Sequence, residues 1–180
     1  MRKSLLLLIL CAAALSASAT VRYVSPSGSD SNDGLSWANA KASVKTAVNA
    51  SSSGDEVYVA AGTYNEMVSI KDGVNIRGGY NASTGARDID LYKSILDGTN
   101  LGSFVLVKYD NDCTVPTYVE GMVLQNTSHS NEGGGAFIRG NVILDRCIVR
   151  NCDGGAGGGV YARCKTAGVF ATISNTTIEL

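Results

Sequence analysis

The spacing of hydrophobic positions changes twice along this chain. Leu5 to Leu15 is an unbroken apolar run of 11 residues. Between Trp37 and Ser52, the residues Ala40, Val44, Ala47 and Val48 fall at i, i+4, i+7 and i+8, the spacing of one helix face. A helix is expected over 37–52. Its apolar face is narrow and made of small residues, so it must lie on something. Ser51-Ser52-Ser53-Gly54-Asp55 ends it. Beyond Gly54 the period falls to two, with Val57/Val59, Val68/Ile70 and Val74/Ile76 alternating with polar or aromatic partners. Ser94-Ile95-Leu96-Asp97 and Phe104-Val105-Leu106-Val107 follow. Short runs punctuated by Gly62, Gly73, Gly78-Gly79, Gly98 and Gly102 predict an all-β fold: a sandwich, a barrel or a solenoid.

The second half repeats, and the repeat favours the solenoid. Val119-Glu120-Gly121-Met122-Val123-Leu124-Gln125-Asn126 aligns with Leu144-Asp145-Arg146-Cys147-Ile148-Val149-Arg150-Asn151 at an offset of 25. Gly133 to Arg139 aligns with Gly157 to Arg163 at an offset of 24, and a third copy opens at Ile173, 29 residues after Leu144. A drifting period near 25 suits one coil of three short strands, with neighbouring coils stacked as parallel strands about 4.8 Å apart. The alignment puts Asn126 over Asn151 at one turn, where asparagine tolerates the left-handed conformation and bonds its neighbour. The glycine triplets form a second stacked turn. Val123, Ile148 and Thr177 or Ile178 are expected to form an inward stack. The organisation read from these signals is residues 1–19 as a signal peptide, 20–55 as a strand, turn and capping helix, and 56–180 as parallel β-helix coils. The chain ends at Glu179-Leu180 inside a strand-like segment, which reads as a fragment of a longer protein.

The N-terminus points to export. Arg2 and Lys3, the apolar run, and Ala17-Ser18-Ala19 make the three parts of a secretory signal, with cleavage expected after Ala19. The run is too short to span a bilayer, which needs about 20 apolar residues. Leu10, not a small residue, precedes Cys11, which argues against a lipid anchor. Cleavage removes two of the 15 basic residues and none of the 16 acidic ones, leaving a net charge of −3. A mildly acidic chain argues against nucleic-acid binding. Glycine is abundant (21) and proline scarce (2), which suits continuous ladders joined by tight turns. Cys113, Cys147, Cys152 and Cys164 remain after cleavage. They allow three disulfide pairings or buried free thiols. Their spacings and the single histidine, His129, do not suit zinc.

Residues 23–80 resemble the opening of pectate-lyase-like right-handed β-helix proteins. The resemblance is carried by Tyr23-Val24-Ser25-Pro26-Ser27-Gly28-Ser29-Asp30, Asp33-Gly34, Ser36-Trp37-Ala38 and Gly54-Asp55-Glu56-Val57-Tyr58-Val59-Ala60-Ala61-Gly62-Thr63-Tyr64. Such openings occur in secreted bacterial proteins, often of the Bacteroidetes type, as an N-terminal helical cap and first coil. The later repeats are similar to those of polymorphic outer membrane proteins, adhesin-like β-helices with G-G-A-[ILV] and F-x-x-N motifs. Gly134-Gly135-Ala136-Phe137 follows the first motif except at Phe137. Val123-Leu124-Gln125-Asn126 and Ile148-Val149-Arg150-Asn151 keep the asparagine of the second without its phenylalanine. The resemblance implies a right-handed parallel β-helix at the cell surface or outside the cell.

Two functions fit these signals. One is a non-enzymatic binding or adhesion scaffold, with extracellular polysaccharide or host-surface glycan as partner. The other is a polysaccharide lyase or glycoside hydrolase with its site beyond residue 180. No residue set has the arrangement of a catalytic, cofactor-binding or metal site. The stretch 29–40 fails the calcium-loop pattern, since Ala40 falls at position twelve. Glu120 over Asp145 could be half a calcium site, but two solvated carboxylates with Arg146 beside them is the simpler reading. Arg139 and Arg163 stack; they could bind an acidic glycan, but a solvated face is the commoner role of such residues. The loop Thr127-Ser128-His129-Ser130-Asn131 carries no catalytic pattern, and the glycine run 154–159 lacks the Lys-Ser/Thr of a nucleotide loop.

Overall fold

The computed structural model describes residues 18–109, 115–129 and 134–179. Residues 1–17 of the expected signal peptide, Cys113, Ser130 to Gly133 and Leu180 lie outside them. The elements in order are β1 (Val21–Val24), α1 (Val44–Ala50), β2 (Glu56–Ala60), β3 (Gly62–Tyr64), β4 (Val68–Ser69), β5 (Asn75–Tyr80), β6 (Ser94–Asp97) and β7 (Leu106–Lys108), followed by β8 (Thr117–Glu120), β9 (Met122–His129), β10 (Ala136–Ile138), β11 (Val142–Asp145), β12 (Ile148–Gly154), β13 (Val160–Ala162), β14 (Ala171–Ser174) and β15 (Thr177–Glu179). The protein is mostly β, built from stacked parallel sheets.

From β2 onward the chain visits three sheets in strict rotation. β1, β2, β5, β8, β11 and β14 form a six-stranded sheet in that order. β3, β6, β9, β12 and β15 form a five-stranded sheet, and β4, β7, β10 and β13 a four-stranded one. The pairings between named strands are parallel. The registers expected from the repeats hold: Val119 pairs with Leu144 and Leu144 with Ile173, Gln125 with Arg150, and Ala136 with Val160.

Alternation decides which side chains are buried. Val57, Ile76, Val119 and Leu144 of the six-stranded sheet point inward and have no exposed surface. Leu96, Leu124 and Val149 of the five-stranded sheet do the same, as do Leu106 and Ala136 of the four-stranded sheet. Each buried Val or Leu contributes about 1.5–3 kcal/mol. The inward row of the five-stranded sheet is therefore Tyr64, Leu96, Leu124, Val149 and Ile178; it holds Ile178 of the expected stack, whereas Val123 and Ile148 fall one residue before it, Val123 being buried all the same. Ile148 and Thr177 lie in the outward row, with Ile148 half-buried and Thr177 exposed. Three consecutive apolar residues, as in Met122-Val123-Leu124, leave the sequence pattern without a phase. Arg146 breaks the tie, because its positive φ (50°) sets the phase in which β12 begins.

The helix is shorter than the expected 37–52. Lys41 is held in extended backbone: its N–H donates to the Tyr23 carbonyl (2.9 Å) and its carbonyl accepts from Ser25 N–H (2.9 Å). This ties the segment to β1 and postpones the helix to Val44. Ser43 is the N-cap, accepting from Thr46 N–H at 3.2 Å. The Glu66 carboxylate accepts from the N–H groups of Val44 (2.7 Å) and Lys45 (3.0 Å). The expected face is right, since Val44, Ala47 and Val48 are all buried against the sheets.

Two kinds of corner recur. Gly121, Arg146 and Asn175 hold positive φ (66°, 50° and 48°) where the chain passes from the six-stranded to the five-stranded sheet. Asn126 and Asn151 (56° and 50°) bend β9 and β12. Gly134 serves close approach instead: a Cβ there would meet the carbonyl oxygens of Asp153 and Gly158 at 2.6 Å.

Candidate functional site

The outer face of the six-stranded sheet gathers the chain's polar chemistry. Alternation turns Tyr23, Tyr58, Arg77, Glu120, Asp145 and Ser174 outward in one row across successive strands. A second outward row runs through Glu56, Asn75, Tyr118, Ile143 and Thr172. Between the rows lies a cavity of about 390 Å³, lined by Arg77, Glu120, Asp145 and Ser174 of the first row and by Asn75, Tyr118 and Ile143 of the second.

Glu120 is the hub. Its side chain is 6% exposed and pairs with Arg77, with Arg87 (3.3 Å) and with Arg146. Arg77 also pairs with Glu56, and Arg146 Nε reaches Asp145 Oδ2 at 3.3 Å. The Glu56 hydrogen bond, working against partial burial, holds the Arg77 proton more tightly than water does. Asp145 Oδ1 accepts from the Ser174 hydroxyl (2.8 Å) and the Asn175 amide (2.9 Å). Asn75 Oδ1 accepts from the Tyr118 backbone N–H at 3.0 Å. Arg87 comes from the excursion between β5 and β6; its Nε donates to the Gly78 carbonyl (3.0 Å), and one of its nitrogens, Nη2, is buried without a partner.

Beside the charges sits an aromatic group. Tyr58 and Tyr80 stack at 4.5 Å and 13°, Tyr23 meets Trp37 at 4.7 Å, and Arg87 lies 5.5 Å over the Tyr80 ring. Burial first, and then the Tyr58 phenol beside it, pushes the Tyr80 hydroxyl far above its ordinary value.

The stacking of Glu120 over Asp145, with Arg146 beside them, was legible in the sequence. The reading of both carboxylates as solvated is wrong for Glu120, which Arg77, Arg87 and Arg146 enclose. Guanidinium groups take the place that a cation would fill beside it. Among the described residues no cluster of His, Cys, Asp and Glu could hold a metal ion. Arg139 and Arg163 follow β10 and β13 and do not line the cavity; Arg139 lies 4.6 Å over the Phe137 ring. His129 stacks on Phe104 at 4.5 Å. Cys147 and Cys152 are buried free thiols and Cys164 is a half-buried one. Asn75, Arg77, Arg87 and Tyr118 were missed. Arg77 and Glu120 are 43 residues apart in sequence, and the excursion between them breaks the repeat that would have aligned them.

No family model matches this chain, and no curated protein or solved structure matches it either. The fold and site define a class only: an all-β chain of stacked parallel sheets with a charged and aromatic outer face.

Proposed function

We propose that this chain is an exported right-handed parallel β-helix that binds glycan on the outer face of its six-stranded sheet and does not catalyse a reaction there. The observation that carries the reading is the cavity whose lining combines hydrogen-bonding side chains with one aromatic and one aliphatic side chain. A sugar ring offers an apolar C–H face and a rim of hydroxyls. Tyr118, 42% exposed, and Ile143 suit the first; Asn75, Asp145 and Ser174 suit the second. The strict rotation of the chain through three parallel sheets supports the solenoid, and the resemblance of residues 23–80 supports its hand. A general acid or base needs an open lone pair or proton facing the substrate. Both oxygens of Glu120, the most enclosed carboxylate of the group, are already taken by guanidinium groups, which supports binding over catalysis.

Export finds support at the expected cleavage point. The Thr20 N–H donates to Asp55 Oδ1 at 2.8 Å, so the ammonium left by cleavage after Ala19 has a carboxylate waiting for it.

Affinity electrophoresis of the mature chain through a panel of neutral and acidic polysaccharides tests the reading. Retardation by at least one polysaccharide is expected, with on the order of tenfold weaker binding in Tyr118→Ala from the lost apolar contact. Retardation by none overturns it. Release of unsaturated or reducing sugar ends overturns the non-catalytic half in favour of a lyase or hydrolase.

A further inference from the structure

We propose that the groove on the six-stranded sheet selects neutral glycans and rejects polyuronates. The inference rests on the glycan reading above and names the ligand class. It follows from charge balance. Arg77, Arg87 and Arg146 face Glu56, Glu120 and Asp145, three cations against three carboxylates. Each guanidinium is committed to at least one carboxylate: Arg77 bridges Glu56 and Glu120, Arg146 bridges Glu120 and Asp145, and Arg87 closes on Glu120.

A uronate needs a cation for its carboxylate at every sugar it buries. To recruit Arg77 or Arg146 it would have to break a pair and strand an acid of the protein, Glu120 being almost fully buried. Removing one partner of such a pair leaves an uncompensated charge, the costly direction. The groups still able to bond a ligand are of another kind. Asp145, with 26% of its side chain exposed, accepts; the Ser174 oxygen, its proton given to Asp145, also accepts, and the Asn75 amide, one N–H of which reaches Glu56 at 3.3 Å, has its second N–H to donate. An added carboxylate beside Asp145 meets a like charge, whereas a hydroxyl meets an acceptor. Tyr118 supplies a flat face that is indifferent to charge.

The test uses a matched pair of polymers, polygalacturonate and the neutral galactan made from it by reducing its carboxyl groups. They share linkage and differ only at C6. Dissociation constants of the mature chain for both are measured from about 50 to about 500 mM NaCl, a range that spans strong and weak screening. The expected result is at least about tenfold tighter binding of the reduced polymer, with an affinity that salt hardly changes. Glu56→Gln leaves Arg77 with one carboxylate fewer and should narrow the preference. Tighter binding of polygalacturonate, falling steeply with salt, overturns the inference while leaving a glycan-binding protein. Binding of neither polymer, nor of any polysaccharide in the wider panel, removes the glycan reading and this inference with it.

Discussion

The side-chain amide of Asn151 donates to the side-chain oxygen of Asn126 at 3.4 Å, one strand apart, and both residues hold positive φ. Asn126 in turn donates to Asp97 Oδ2 at 2.8 Å. The corner thus combines a backbone conformation costly for most residues with a polar ladder that compensates it. Asn126→Ala should lose about 1–2 kcal/mol for the left-handed backbone and about 1 kcal/mol for the bond to Asp97. Asn126→Gly should recover the first part only. Urea unfolding of the three proteins separates the contributions; equal midpoints for the Ala and Gly variants would contradict the backbone term.

Val149 and Ile148 are neighbours with opposite orientations. Val149 has no exposed surface and stacks on Leu124. Val149→Asp should abolish cooperative folding of the C-terminal strands, while Ile148→Asp should cost under about 1.5 kcal/mol because the new carboxylate reaches water. Thermal melts followed by circular dichroism distinguish them, and a reversed order would shift β12 by one residue.

Asp97 makes the fold sensitive to acid. Burial pushes its carboxyl up, but donors from Gln125 (2.7 Å), the Thr99 backbone (2.8 Å) and Asn126 (2.8 Å) outweigh it and hold the group below its ordinary value. A depressed value means stability that is present above about pH 3.9 and is lost as the pH falls through the lower folded value. Asp97→Asn should therefore lower stability at pH 7, and its deficit relative to wild type should shrink as both are taken below pH 3.9. Unfolding midpoints at a series of pH values test the sign.

Asp55 should mark the mature N-terminus. Burial raises its carboxyl, yet hydrogen bonds from the Ser52 and Thr20 N–H groups and the charges of Arg22 and Lys71 bring it below its ordinary value. Sequencing of the exported protein should begin at Thr20. Acetylating that amine should remove an ion pair worth up to about 1 kcal/mol in wild type and nothing in Asp55→Asn. A first residue other than Thr20 would sink this prediction.

Thiol labelling should follow burial. Cys147 is 2% exposed, and burial pushes the pKa of its thiol up to about 11. Cys164 is half-buried. With reductant present at pH 8, iodoacetamide should modify Cys164 well before Cys147, as peptide mass spectrometry would show. Equal rates would mean that the strands around Cys147 open readily.

The sequence by itself determined the class, the period and the strand-to-strand register of the repeats. Alternation of Val57/Val59 gave the inward face of β2, and that of Val74/Ile76 the inward face of the segment that enters β5. The copies at 119–126 and 144–151 gave the pairing of β8 and β9 with β11 and β12, because equivalent positions of a stacked repeat face equivalent surroundings. Glu120 over Asp145 followed from that register alone. Tertiary structure decided what local pattern leaves open. The apolar runs at 122–124 and 147–149 carry no alternation, so the orientation of Ile148 and Val149 was fixed by the corner at Arg146. The helix start was set by the pairing of Lys41 with β1, a contact across 18 residues that outweighs local spacing. The site itself depended on Arg77 and Arg87, brought to Glu120 over 43 and 33 residues. No repeat signals those separations, because charge pairing acts through space and leaves no period in the chain.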